Sequence, residues 1–164
     1  MFRKNDKGVR ADYRDQEPSG GKNLRLFDSE HGAAAAWADL FRGRSAIVEY
    51  GAFIYSLRVG GEKKYYTGRT HVGMGSHGRI RANVVIPFIY MYLFQSVIEL
   101  IKRGARIEAF IHSHPQPGPG YTCRNHSPED LLLLKLPGIK TVYVIPFENT
   151  EINAAARRSR AHVG

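Results

Sequence analysis

The chain has too few cysteines to form a disulfide within itself, because Cys123 is the only one among its 164 residues. Disulfide-stabilised folds are therefore excluded, and the chain needs no oxidising compartment in order to fold. Acidic residues are also scarce, with 15 Asp and Glu against 24 Lys and Arg, which gives a formal net charge of +9. This charge permits an acidic partner, but it describes a field and not a site, and nucleic-acid binding is not the function we favour.

Long hydrophobic runs are missing as well. Residues 1–26 form a polar, charged arm without the apolar run of a signal peptide; a connector to a further segment of a longer protein has the same character. The most apolar stretch, residues 84–101, is short for a bilayer and is interrupted by residues such as Pro87 and Glu99. It predicts no membrane span, but a helix over residues 88–103 that is buried or gives one face to another subunit.

The length and the apolar fraction of 43% suit one domain with a real core, and no internal repeat is visible. We assign this domain to residues 27–155 and treat residues 156–164 as a basic tail. A helix is predicted over residues 30–41, capped by Asp28 or Ser29. Strands are predicted over residues 45–56, 64–69, 106–111 and 138–146, with residues 150–153 pairing beside the last. The fold class is therefore α/β or α+β, with a mixed β-sheet flanked by helices.

Two histidines follow the strand predicted over residues 106–111. His112 and His114 are two residues apart, and strand residues at this spacing point to the same face, so both imidazoles can bind one ion. Downstream, Ser127 is followed by Pro128 and a carboxylate at position 130, the pattern of a helix start.

Asp130 lies in the first turn of that helix, where it can face back toward the strand end. Taken alone, Ser127 and Asp130 resemble a capping box and need no function. Together with His112 and His114, however, Asp130 completes a ligand set of the catalytic-zinc type, in which three protein ligands leave a fourth position for water. Cys123 and His126 lie nearby in the sequence and are competing ligands.

The run from His112 to Pro115, followed by Ser127 and Asp130, resembles the JAB/JAMM (MPN) metalloprotease signature. The resemblance extends over about residues 27–147, although the loop before Ser127 is longer than is usual in the family. It implies a JAB/MPN-like, cytidine-deaminase-like architecture and a Zn²⁺ ion held by the two histidines and the aspartate. It also implies that Ser127 supports the tetrahedral intermediate.

In that family a glutamate on the strand after the first helix handles the proton of the attacking water. Glu49, followed by Tyr50 and Gly51, has this position in the chain. A carboxylate among apolar strand residues is unfavourable unless it has a partner or a use. The alternative interpretation of Glu49 is an outward-facing residue paired with a basic side chain.

The chain is most similar to the JAB-like domains of bacterial polymorphic toxins and effectors. This resemblance implies a hydrolase, a peptidase or isopeptidase, that acts on a protein or peptide substrate, and an immunity or other partner protein. The location would then be the cytoplasm, or outside the producing cell after export by a dedicated secretion system.

Two other classes of function stay open. A structural zinc module would use His112, His114, Cys123 and His126, which can close a tetrahedron without water. A catalytically silent domain of the same fold would bind an acidic partner or nucleic acid through its basic tail and its apolar helix. The identity of the metal ligands separates the first alternative from the enzyme.

Overall fold

Six β-strands form one mixed sheet in the structure, a computed structural model that describes residues 24–44, 49–72, 82–115, 125–147 and 151–157. The strands are β1 (Tyr50–Val59), β2 (Glu62–Thr67), β3 (His71–Val72), β4 (Arg106–Ser113), β5 (Thr141–Ile145) and β6 (Asn153–Ala156). Their order is β2-β1-β4-β5-β6, with β3 beside β1. Strands β4 and β5 are parallel and the other pairs are antiparallel. The predicted α+β class with a mixed sheet is confirmed.

Three α-helices flank this sheet in the described part of the chain: α1 (Glu30–Phe41), α2 (Ala82–Arg103) and α3 (Pro128–Leu132). The predicted cap of α1 is confirmed, because Ser29 accepts a hydrogen bond at 3.0 Å from the Gly32 amide. Helix α2 begins six residues before the predicted start. Pro87 removes one backbone hydrogen bond there, but the long helical segment that follows outweighs this loss. None of the described helices is both long and apolar enough to cross a membrane.

Each face of the sheet has its own hydrophobic core. Helix α1 covers one face, where Trp37 and Phe41 pack with alternate strand residues such as Ile54 and Ile111. The opposite face contains Phe53, Tyr55, Phe110, Tyr92 of α2 and Ile139. Phe110 belongs to this second core. His112 lies two residues further along β4, so its side chain points to the same face. The second face is therefore the one that carries the candidate site.

Helix α2 is buried on one side only, so of the two predicted alternatives, full burial is not observed. Tyr92 packs into the second core, but the opposite side of the helix carries five apolar residues that are 51% to 78% exposed. We call them the apolar stripe: Leu93, Phe94, Val97, Leu100 and Ile101. The sheet can cover only one side of a helix, which explains why an all-round apolar sequence leaves this side uncovered.

Several strand boundaries differ from the prediction. Strand β1 runs to Val59 because the chain reverses at Gly60 and Gly61, whose positive φ angles of 60° and 87° suit glycine. Strand β4 runs to Ser113, two residues beyond the predicted end, so His112 lies within the strand. Strand β6 begins at Asn153, where the predicted partner strand was expected to end. The predicted strand start at residues 45–48 lies outside the described residues.

Candidate metal centre

The two histidines of the motif occupy the end of the central strand β4. His112 pairs with Gly51 of β1 on one side and with Val144 of β5 on the other, and only 1% of it is exposed. His114 follows the strand, and its backbone N–H donates to the carbonyl oxygen of Ile145 at 2.9 Å. The sheet therefore fixes the backbone of both residues.

The N-terminus of α3 supplies the third member of the cluster. The Ser127 amide donates to Asp130 Oδ2 at 2.7 Å, and the Asp130 amide donates to Ser127 Oγ at 3.1 Å, so the predicted capping box is present. This arrangement leaves Asp130 Oδ1 to face His112 Nε2 at 3.0 Å. The structural and the ligand interpretations of Asp130 are thus compatible, because the cap uses Oδ2 and leaves Oδ1 beside His112 Nε2.

The three side chains form a compact group of potential metal ligands. The two imidazole Nε2 atoms of His112 and His114 are 3.1 Å apart, and His114 Nε2 lies 3.5 Å from Asp130 Oδ2. The group has one ligand atom from each residue, all within 4.8 Å of one another. Ligands bound to zinc at about 2.0–2.1 Å in a tetrahedron lie about 3.3 Å apart, which is close to the observed distances. This group can hold a metal ion.

Electrostatics at the site favour an ionised carboxylate. Burial acts to raise the pKa of Asp130, but the hydrogen bonds from His112 and His114 and the Ser127 amide outweigh it and hold that pKa well below its usual range. An ionised, hydrogen-bonded carboxylate is the form that binds cations. Among the described residues, no lysine or arginine forms an ion pair with Asp130.

Glu49 lies immediately before β1 and two residues from Gly51, which pairs with His112. This spacing places Glu49 on the sheet face that carries His112. Burial raises the pKa of the Glu49 carboxyl, the charges of His112 and His114 lower it, and the Asp130 carboxylate raises it further, with a net upward shift. Glu49 is therefore electrostatically coupled to the cluster.

Gly51 was noted in the sequence as the small residue after Glu49, but its part in supporting the site was not predicted. A β-carbon at this position would lie 2.8 Å from Cζ of Phe110, closer than real contacts allow. The Phe110 ring is stacked beside the His112 imidazole, with centroids 5.5 Å apart and an angle of 21° between the rings. Gly51 thus gives Phe110 the room to support His112. The signal in the sequence was the small residue two positions after Glu49.

Of the two competing ligands, His126 lies within the described residues and Cys123 does not. His126 Nε2 lies 2.8 Å from the backbone carbonyl oxygen of Val142. A carbonyl only accepts hydrogen bonds, so Nε2 donates this bond and only Nδ1 of His126 can offer a lone pair to a metal. His126 is not a member of the group whose ligand atoms lie within 4.8 Å of one another. Cys123 and most of the proline-rich loop lie outside the described residues. His112 Nδ1 is buried without a hydrogen-bond partner in the described part of the chain.

No protein-family model matches the chain, and neither a curated protein nor a solved structure matches it. The chemical character of the site therefore follows from its own residues. These provide two imidazoles, one ionised carboxylate and a second carboxylate with a raised pKa beside them.

Proposed function

We propose that this chain is a zinc-dependent metallohydrolase of the JAB/JAMM type, a peptidase or isopeptidase. The observation that carries the proposal is the convergence of His112, His114 and Asp130 in one group, with Glu49 coupled to it. These residues come from the end of β4, the start of α3 and the segment before β1, and the fold brings them together. A set of one carboxylate base beside three zinc-type ligands is the arrangement that metal-assisted hydrolysis requires.

Zinc is the metal that the ligand set suits best. Two imidazoles and one carboxylate are typical of catalytic zinc sites, whereas Mg²⁺ and Ca²⁺ take mainly oxygen ligands. When bound, zinc supplies a Lewis acid and makes water nucleophilic near neutral pH. The Nε2 atoms of His112 and His114 are 3.1 Å apart and Asp130 Oδ1 lies 3.0 Å from His112 Nε2, which is close to the edge of a zinc tetrahedron. Three protein ligands leave one vertex for a ligand from outside the chain.

Glu49 is the proposed general base. It accepts the proton of the attacking water and later delivers it to the leaving amine. Its raised pKa supports this assignment, because a carboxyl with a pKa closer to neutrality both gains and loses a proton more readily at working pH.

Ser127 is the proposed donor to the developing oxyanion. Its Oγ accepts a hydrogen bond from the Asp130 amide, so the hydroxyl hydrogen remains for a second partner. A donor placed where charge develops lowers the barrier of acyl transfer. One serine would therefore cap α3 and assist the reaction.

The narrower assignment to a bacterial toxin or effector domain rests on sequence resemblance. In that case the substrate is a protein or peptide of a target cell, a partner or immunity protein covers the site in the producing cell, and export uses a dedicated system. The net charge of +9 favours an acidic substrate or partner.

The catalytically silent alternative has one observation in its favour. The apolar stripe on α2 is larger than scattered surface residues require, and such patches mark interaction surfaces. Against the structural-zinc alternative, the group of converging ligand atoms in the described residues contains Asp130 and not His126.

The substitution Glu49→Gln tests the proposal. The amide cannot accept a proton, so turnover of an internally quenched peptide library should fall by a factor of about 100 to 10,000, while zinc content and Tm stay close to those of the wild type. Turnover and zinc would be measured on the same preparation, by fluorescence and by mass spectrometry of the metal.

The matched control is Glu62→Gln, a glutamate on β2 whose side chain is 72% exposed and paired with Lys64. This variant should keep wild-type turnover, since the pair lies at the surface. Unchanged turnover in zinc-loaded Glu49→Gln would remove Glu49 from the mechanism. A protein that binds no zinc would end the proposal as a whole.

A further inference from the structure

A groove of about 430 Å³ lies between α2 and the segment that leads into β3. We call it the α2 groove. The residues that matter for its chemistry are Tyr55, Arg69, His71, Phe94, Gln95 and Lys102. This volume is within the range of about 300–1,000 Å³ in which proteins bind small ligands or single side chains of a larger one.

The α2 groove and the metal centre lie on the same face of the sheet. Gly51 pairs with His71 on one side and with His112 on the other. Directly paired residues of antiparallel strands point to the same face, so the two imidazoles flank Gly51 on that face. Two strand spacings separate them, or about 10 Å.

A hydrogen-bond chain fixes the polar part of the groove. The Tyr55 hydroxyl donates to Gln95 Oε1 at 3.4 Å, and the Gln95 amide nitrogen is bonded to His71 Nε2. An amide nitrogen only donates, so His71 Nε2 accepts and the ring hydrogen of the neutral imidazole lies on Nδ1. Gly68 is required here, because a β-carbon would lie 2.5 Å from Cε2 of Tyr55. The two hydrogen bonds link β1, α2 and β3.

The mouth of the groove is positively charged. Arg69 and Lys102 are both exposed and line it, and neither forms an ion pair within the described ranges of the chain. Glu99 also lines the groove, but Arg103 neutralises it at 2.6 Å and the Tyr66 hydroxyl bonds to it at 2.5 Å. Within the described residues, the groove therefore has two cations without an ion-pair partner, and its one carboxylate, Glu99, is paired with Arg103.

An apolar wall completes the groove. Phe94 and its neighbours Met91 and Ile98 on α2 supply this wall. A ligand that suits all parts of the groove has an apolar stem and ends in an anion. A glutamate side chain has this chemistry, since two methylene groups separate its carboxylate from the backbone.

We propose that the α2 groove binds an acidic side chain of the peptide substrate, with Arg69 and Lys102 pairing the carboxylate. The peptide then extends from the groove to the metal centre across His71 and His112, whose strands are about 10 Å apart, a distance that about three residues of extended chain cover at about 3.3 Å each. The substrate class is thus a peptide with a glutamate about three residues from the scissile bond. The binding of the side chain is independent of zinc, whereas the spacing rests on the proposed hydrolase function.

Binding is tested first on the metal-free protein, so that a carboxylate cannot bind zinc instead. The probe is N-acetyl-glutamate methylamide, and its neutral isostere N-acetyl-glutamine methylamide is the control. Titration followed by nitrogen-15 NMR should shift the Gln95 side-chain amide and the backbone amides of Gly68 and His71 with the glutamate probe. Shifts that are equal for both probes, or absent from these signals, would overturn the proposal.

Variants of the exposed cations locate the interaction. Arg69→Ala and Lys102→Ala should each weaken binding of the glutamate probe roughly two- to fivefold, the range expected for one exposed ion pair. Lys135→Ala removes an exposed charge from another part of the surface and should leave the affinity unchanged. The same loss in all three variants would reduce the effect to net charge and contradict a specific site.

A kinetic experiment separates this proposal from the proposed function. In a series of neutral peptides with one glutamate at successive positions, cleavage by the zinc-loaded wild type should be best when the glutamate is about three residues from the cleaved bond. Lys102→Glu should raise KM for that peptide and lower it for the lysine-containing analogue, with kcat unchanged. Binding of the probe without cleavage of any peptide would refute the proposed hydrolase function but not the proposed binding in the α2 groove. Cleavage with the same KM values in Lys102→Glu and the wild type would refute binding in the α2 groove but not the hydrolase function.

Discussion

Two buried carboxylates, one near each end of strand β4, have different partners. At the beginning of the strand, Glu108 is 5% exposed and is surrounded by donors: Lys63 at 2.6 Å, Lys140 at 2.5 Å and the Ser56 hydroxyl at 2.6 Å. At the other end, Asp130 is 4% exposed and faces two imidazoles. Glu108 is thus paired with cations that the chain itself supplies.

The difference indicates where a cation from outside is needed. A buried charge is stable only when it is paired or bound to a metal. Two lysines meet this condition for Glu108, and they reach it from solvent, since their side chains are 39% and 62% exposed. Asp130 has no lysine or arginine partner among the described residues; it faces His112 and His114, and a metal ion bound by the three would supply the cation.

The largest effect should come from adding zinc to the metal-free protein. A ligand that binds only the folded state, at a thousand times its Kd, stabilises that state by about 4 kcal/mol. For a chain of this size the Tm should rise by roughly 10 °C, as measured by circular dichroism. His114→Ala and Asp130→Asn should lose this increase, and the second keeps a side-chain oxygen that can accept the Ser127 amide.

Glu108→Gln is the comparison for that experiment. Because Glu108 lies at the other end of β4, the variant should keep the full increase in Tm with zinc. A zinc-dependent rise in Tm that persists in Asp130→Asn but disappears in Glu108→Gln would contradict the placement of the metal at Asp130.

The Glu108 cluster itself should depend on pH. Burial acts to raise the pKa of Glu108, but the hydrogen bonds from Lys140, Lys63 and Ser56 outweigh it and lower the pKa below 4.5. A lowered folded-state pKa stabilises the fold above the unfolded-state pKa, and this contribution is lost as the pH falls through the folded-state value. Glu108→Gln should therefore cost about 2 kcal/mol in the free energy of unfolding at pH 7, and less below pH 4.5.

Urea denaturation of both proteins across the pH range measures this difference. If the difference in the free energy of unfolding does not change with pH, the charge of the Glu108 carboxylate does not contribute to stability. Glu62→Gln, at the surface, is the control variant.

The smallest effect on stability is expected for the two serine caps. Ser29→Ala and Ser127→Ala each remove a side-chain acceptor from a helix N-terminus, at a cost of about 1 kcal/mol. Only Ser127→Ala should also reduce turnover, because Ser29 lies at the start of α1 on the other side of the sheet. Equal turnover in the two variants would limit Ser127 to its role as a cap.

Much of the site could be predicted from the sequence because its signals are local. The spacing of His112 and His114 follows from strand geometry, and Ser127, Pro128 and Asp130 form a helix start that any chain would use. The α+β class follows in the same way from alternating local patterns. These predictions needed no knowledge of which strands are neighbours.

The parts that could not be predicted depend on distant segments. Lys63 and Lys140 come from opposite sides of β4, so nothing near Glu108 in the sequence indicates that they neutralise it. The bond between Gln95 and His71 likewise joins a helix to a strand across 24 positions. Which side of α2 would be exposed also could not be predicted, because its pattern is apolar all round and does not tell which side meets the sheet.

The central claim is that His112, His114 and Asp130 hold a zinc ion open to an outside ligand, and X-ray absorption at the zinc edge tests it most directly. The account predicts one zinc per chain with a shell of nitrogen and oxygen atoms only, at about 2.0–2.1 Å, and loss of the metal in Asp130→Asn but not in Cys123→Ser. A sulfur atom at about 2.3 Å, lost in Cys123→Ser, would contradict the account and identify a closed structural site instead.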